Sequence, residues 1–86
     1  MRIVLQKSFR KSLERLTPKM RDKVRAAIYK FRSNPFDPTL RNHPLKGSMV
    51  GRRAFSVGGD MRIIFKEYEN YTMVLMLDVG SHNQVY

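Results

Sequence analysis

His43 and His82 are the only two histidines in this 86-residue chain. Imidazole is the side chain best matched to proton transfer at neutral pH. Both lie outside the segments with clear helical or strand periodicity. Asp60 follows Gly58-Gly59, and Arg53 opens an alternating segment just before it. Cleaving RNA without a metal needs three functions. A base removes the 2′-hydroxyl proton, cations stabilise the charge gathering on phosphorus, and an acid protonates the leaving 5′-oxygen. His43, Asp60, His82 and Arg53 include groups suited to all three. Each also has a plainer use. An aspartate after two glycines suits a turn, and a loop histidine is commonly structural. The closing Tyr86 serves equally as a packing cap or as a stacking platform for a base. Two distant histidines with scattered acids give no metal-ligand spacing. Cysteine is absent, which excludes disulfides, zinc–thiolate sites, iron–sulfur clusters and thiol nucleophiles. Gly47-Ser48-Met49-Val50-Gly51 fits neither a phosphate loop nor a nucleophile elbow. No cofactor is expected.

The elements that must position these groups are legible from periodicity. Arg2-Ile3-Val4-Leu5-Gln6 is a short β-branched run and reads as a strand. Ser8 suits the cap of a helix whose Phe9, Leu13 and Leu16 share one face. Thr17-Pro18 restarts the chain as N-cap and first helical residue. Met20, Val24, Ala27, Ile28 and Phe31 form the apolar stripe of the second helix. Asn34-Pro35 stops it, because the residue before proline is pushed out of the α region. Residues 34–51 form a long connection with turn signals at Asp37-Pro38 and His43-Pro44. Leu40 and Leu45 are its expected anchors. Strands follow at residues 53–57, 61–66 and 72–79, separated by the Gly58-Gly59-Asp60 turn and a polar hairpin at 67–71. Gly80 marks a bend before the tail. The order is βααβββ, an α+β fold with a helical hairpin on one face of a small antiparallel-type sheet. At this length it is one domain, residues 1–86.

Seventeen lysines and arginines face seven acids, for a net charge of +10 and a pI of about 10.6. Such an excess predicts an anionic partner. Residues 7–32 hold ten of the cations and two acids, hence +8. Lys7, Arg10 and Lys11 begin this basic face. A second group, including Lys46, Arg52, Arg53 and Arg62, is interspersed with the titratable residues. It is the better candidate for contacting a reacting phosphate. No run approaches the roughly 18 apolar residues that span a bilayer. The opening Met1–Leu5 turns charged at Lys7, unlike a signal peptide. A soluble cytoplasmic domain with no membrane contact is expected.

Three stretches resemble the RelE/ParE superfamily of toxins from bacterial toxin–antitoxin pairs. They are His43-Pro44-Leu45-Lys46-Gly47, Gly51-Arg52-Arg53 through Met61-Arg62-Ile63-Ile64-Phe65, and Asp78-Val79-Gly80-Ser81-His82-Asn83-Gln84-Val85-Tyr86. The chain is similar to the RelE/StbE group, with YafQ-like features in the histidine-bearing stretches. The resemblance covers the whole chain, including the element order. It implies a type II toxin that cuts messenger RNA on the ribosome without a metal. It also implies a cognate acidic antitoxin that holds the toxin silent. The toxin alone would be a monomer and would join a hetero-oligomer with that antitoxin. The YafQ-like pattern of active residues falls on His43, Arg53, Ser56, Asp60, His82 and Tyr86. Ser56 stands where that pattern has a histidine, and Met61 where it often has tryptophan. Serine does no acid–base work at neutral pH, so the load would shift to His43, Asp60 and His82. Two alternatives stay open: a ParE-like inhibitor of DNA gyrase, and a non-catalytic member that binds RNA or antitoxin. Paired histidines favour the nuclease.

Overall fold

The computed structural model describes residues 1–86. Strands β1 (Arg2–Leu5), β2 (His43–Pro44), β3 (Arg53–Gly58), β4 (Met61–Tyr68) and β5 (Met73–Ser81) form one sheet in the order β1-β5-β4-β3-β2. Helices α1 (Lys7–Glu14) and α2 (Pro18–Ser33) pack on β5 and β3 respectively. A one-turn helix α3 (His82–Val85) closes the chain. The expected α+β arrangement is therefore present. The sheet is antiparallel except at its edge, where β1 runs parallel to β5. No helix is long and apolar enough to cross a membrane.

Helix α1 begins earlier than the sequence suggests. Gln6 occupies the cap position without a side-chain bond, and Ser8 lies inside the helix. The reason is the edge of the sheet. Strand β1 ends at Leu5, and a bulge in β5 leaves Leu77 outside the β4–β5 register. Ser8 donates its hydroxyl to the Leu77 carbonyl at 2.6 Å, and Ser12 donates to Asp78 Oδ1 at 2.6 Å. Helix α1 thus continues the edge that β1 abandons. A backbone carbonyl needing a partner takes the hydroxyl that could have capped the helix.

Helix α2 starts as expected. Pro18 opens it, and Thr17 Oγ1 accepts from the Met20 N–H at 3.2 Å. Thr17→Ala should cost about 1 kcal/mol. In a domain of this size that lowers Tm by about 4–8 °C, a shift that thermal melting followed by circular dichroism can check. Arg21 joins the two helices by donating to the Leu16 carbonyl at 2.9 Å. Val24, Ala27 and Phe31 are the buried stripe of α2. Phe31 stacks on Phe55 at 4.5 Å and meets Phe65 edge-on at 5.0 Å. The core closes around Phe9, Leu40, Ile63, Val74, Met76 and Val79.

The connection at 34–52 is more ordered than its prolines suggest. It contains 3-10 turns at Pro38–Leu40 and Gly47–Met49, and His43-Pro44 adds as β2 to the edge of β3. Leu40 is buried and Leu45 half-buried, as anchors should be. Hydrogen bonds from the Thr39 hydroxyl and N–H hold the Asp37 carboxyl below the usual carboxylate range. Its capping contribution is present at neutral pH and is lost as pH falls through that depressed value. Strand β4 runs to Tyr68 rather than Lys66. Gly80 lies within β5 rather than at a bend, and the chain turns only after Ser81.

Candidate active site

Side chains alternate across a sheet, and directly paired residues share a face. Phe55, Ile63 and Val79 form one row on the helix-covered face. The neighbouring row, on the opposite face, is His43, Ala54, Ile64 and Asp78. Two residues further along, Ser56 pairs with Arg62, and Arg62 with Gly80. The diagonal spacing of such rows puts His43 roughly 7–8 Å from Ser56 along the backbone. His43 is exposed, and its Nδ1 lies 2.8 Å from the Arg41 carbonyl. That contact engages Nδ1 and leaves Nε2 without a protein partner.

The second half of the face comes from the chain end. The His82 N–H donates to the Asp60 carbonyl at 3.0 Å, which ties the start of α3 to the β3–β4 turn. The His82 and Tyr86 rings meet edge to face, with centroids 4.2 Å apart. Burial pushes the Tyr86 hydroxyl above its ordinary value, while the nearby Arg62 charge works against that rise. The phenol therefore stays protonated at neutral pH. Arg62 donates to the Gly59 carbonyl at 2.8 Å, the Met61 carbonyl at 3.0 Å and Ser56 Oγ at 3.4 Å. It is half-buried, with its guanidinium held at the turn that carries Asp60. Asp60 itself is exposed. It borders a cleft of about 560 Å3 that Arg15 and Lys23 also line.

Of the residues singled out from sequence, His82, Tyr86, Ser56 and Arg62 converge. His43 shares their face, and Asp60 adjoins them at the turn. Arg53 does not join them. It pairs with Phe65, on the helix-covered face. Its Nε donates to Asn42 Oδ1 at 2.8 Å, and its guanidinium sits 5.9 Å over the Phe36 ring. Asn42 in turn donates to the Pro35 carbonyl and the Tyr71 hydroxyl. Arg53 thus anchors the connection after α2. Arg62 is the arginine that shares the face of Ser56, and strand alternation from Ser56 was the signal that could have singled it out. Arg52 lines a 260 Å3 cavity on the site's face with Ile64, Asp78 and Val85. Lys46 is exposed just before the Gly47–Met49 turn. Lys7, Arg10 and Lys11 are exposed on α1, at the sheet edge.

The electrostatics are one-sided. The single ion pair is Arg25 with Asp22, and both side chains are 75% exposed. No other cation lies within 4 Å of a carboxylate, which is the surface a polyanion requires. No three His, Asp or Glu side chains cluster as metal ligands.

Comparison with known proteins gives a consistent picture. No curated protein matches the sequence. YafQ from E. coli strain BL21(DE3) superposes with a TM-score of 0.83 at 20% identity, covering 100% of this chain and 99% of that one. YafQ in the E. coli DinJ–YafQ toxin–antitoxin complex gives 0.79 at 19% identity, covering 98% and 94%. A YoeB/ParE toxin from Agrobacterium tumefaciens gives 0.78 at 21% identity, covering 95% and 99%. At these identities the structures speak for the fold. The family described as "Bacterial toxin of type II toxin-antitoxin system, YafQ" matches residues 1–86. The whole chain, site included, belongs to the YafQ family of type II toxins.

Proposed function

We propose that this toxin is a metal-free endoribonuclease that cuts messenger RNA on the ribosome. The observation that carries the reading is the His82–Tyr86 pair, set beside Arg62 on the face the large helices leave uncovered. In the reaction a base takes the 2′-hydroxyl proton, and that oxygen attacks the adjacent phosphorus. The bond from phosphorus to the 5′-oxygen breaks, and an acid gives that oxygen its proton. The products are a 2′,3′-cyclic phosphate and a 5′-hydroxyl. His82 and Asp60 are the main proton-transfer groups, with His43 assisting. Arg62 faces the charge on the phosphorane, a role for which its fork of donors is suited. Tyr86 orients His82 and offers a ring to a base. Serine at position 56 leaves the site one proton-transfer group short of the YafQ-like pattern. Positioning by the ribosome, worth roughly 7–11 kcal/mol in a well-oriented complex, supplies what the site lacks.

The unpaired basic surface of α1 and α2 docks on ribosomal RNA, and Lys46, Arg52 and Arg62 contact the message. An acidic antitoxin competes for the same charge and holds the toxin in a hetero-oligomer. The DinJ–YafQ and RelBE2 complexes among the structural relatives support such a partner. The toxin acts in the cytoplasm, where ribosomes translate.

The test is induced expression with mapping of messenger RNA ends, run beside a DNA supercoiling assay. Discrete new 5′-hydroxyl ends inside translated frames, with unchanged supercoiling, are expected. Altered supercoiling with intact messages would favour gyrase inhibition, and neither change would favour a binding-only protein. A gain of function is also expected. Ser56 lies 3.4 Å from Arg62 on the site's face. Ser56→His should raise the cleavage rate by about tenfold or more if it adds a proton-transfer group. Single-turnover cleavage on programmed ribosomes measures it.

A further inference from the structure

The C-terminal helix α3 is one turn long, and a helix of that length does not hold itself together in water. Yet His82 is its first residue and Tyr86 its C-cap. Three hydrogen bonds order it, of which the first ties it to the β3–β4 turn and the second closes its single turn. The His82 N–H donates to the Asp60 carbonyl at 3.0 Å, and the Tyr86 N–H to the His82 carbonyl at 3.1 Å. The third is Gln84, whose Oε1 accepts from the Ser81 N–H at 2.8 Å, the glutamine half of a capping box. Gly80, buried and paired with Arg62, lies directly beneath. A Cβ there would stand 2.9 Å from Gln84 Oε1 and 3.1 Å from Val85 Cγ1. The amide that caps the helix occupies the space glycine leaves open.

We propose that Gln84 is a positioning residue, whose cap on α3, seated over Gly80, holds the His82–Tyr86 pair in its cleaving geometry. It acts through the backbone of Ser81 and touches no reacting atom. The inference rests on the nuclease reading above.

The experiment compares the whole toxin with Gln84→Met, Gln84→Glu, Gly80→Ala and His82→Ala, each purified from its complex with the antitoxin. Cleavage is read as single-turnover rates on saturating messenger-programmed ribosomes. Methionine keeps the side chain's length and removes the acceptor; glutamate keeps the acceptor. The loss of a cap shifts a marginal helix by about 5- to 10-fold, so Gln84→Met should slow cleavage by about that factor. Gln84→Glu should restore it to within about twofold, since glutamate serves equally at this position. Gly80→Ala should resemble Gln84→Met by displacing the amide. Ring-current-shifted His82 protons, seen by NMR because its ring lies against Tyr86, should move toward unshifted values in the slow variants and return in Gln84→Glu. Gln84→Met cleaving at the parental rate while His82→Ala is inactive overturns the positioning role and leaves the nuclease reading intact. His82→Ala cleaving like the parent overturns both. A Gln84→Met toxin whose Tm falls in step with its rate also overturns the proposal, because the residue then supports the whole fold.

Discussion

His82→Ala should lower ribosome-dependent cleavage by about 10²–10⁴-fold, the usual loss when a general acid or base is removed. The substitution deletes an exposed ring whose protein contact is the edge of Tyr86. The backbone N–H that bonds the Asp60 carbonyl remains. The fold and the affinity for antitoxin should therefore be unchanged. Asp60→Ala should give a loss in the same range. Here too the bond to α3 runs through a carbonyl that every residue has, so the helix stays seated. Asp60→Asn separates charge from shape: it keeps the turn chemistry and removes the proton-transfer group. Growth arrest at matched expression, together with mapped message ends, measures all three. If both alanine variants stay as toxic as the parent, proton transfer lies elsewhere and gyrase inhibition becomes the better reading.

The sequence was most legible where one local rule acted alone. Thr17-Pro18 announced the start of α2, and Asn34-Pro35 its end, because capping and proline sterics need no tertiary partner. The strand expected at 61–66 is present in β4, and its Ile63, Ile64 and Phe65 are all buried. Ser8 was misleading because its hydroxyl had a distant alternative, the Leu77 carbonyl left open by the β5 bulge. Bulges of this kind leave no mark in hydrophobic periodicity. The His43-Pro44 strand was invisible because two residues carry no period, and only pairing with β3 defines it. The one-turn α3 was hidden for the same reason. The site was legible in residue type and less so in direction. His43, Asp60, His82 and Tyr86 stood out as chemistry-bearing residues, whereas choosing between Arg53 and Arg62 required knowing which face His43 occupies.

That choice yields the second large effect. Arg62→Ala should reduce cleavage by about 10²–10³-fold, the scale seen when a donor to developing charge is removed. Arg53→Ala should leave the rate per folded molecule near parental and lower stability instead. The reasons are geometric. Arg62 faces the same side as Ser56 and lies near enough to Tyr86 for its charge to act on the phenol. Arg53 faces the other way, bonded to Asn42 and lying over Phe36. A hydrogen bond from a charged donor contributes about 1.5–3 kcal/mol. Arg53→Ala also leaves the Asn42 oxygen without that donor, so a fall in Tm of several degrees is expected, about 4–8 °C per kcal/mol. Arg62 also braces the turn through the Gly59 and Met61 carbonyls, so its alanine variant can lose activity through the turn as well. Arg62→Lys resolves this. Lysine keeps a charge and one donor but not the planar fork. If Arg62 neutralises the phosphorane, Arg62→Lys should recover part of the rate, while its Tm stays close to that of Arg62→Ala. If the turn alone matters, rate and Tm should recover together or not at all. Single-turnover cleavage and thermal melting on the four proteins decide the matter. An Arg53→Ala toxin that is stable and inactive would return the charge-stabilising role to the residue on the helix-covered face.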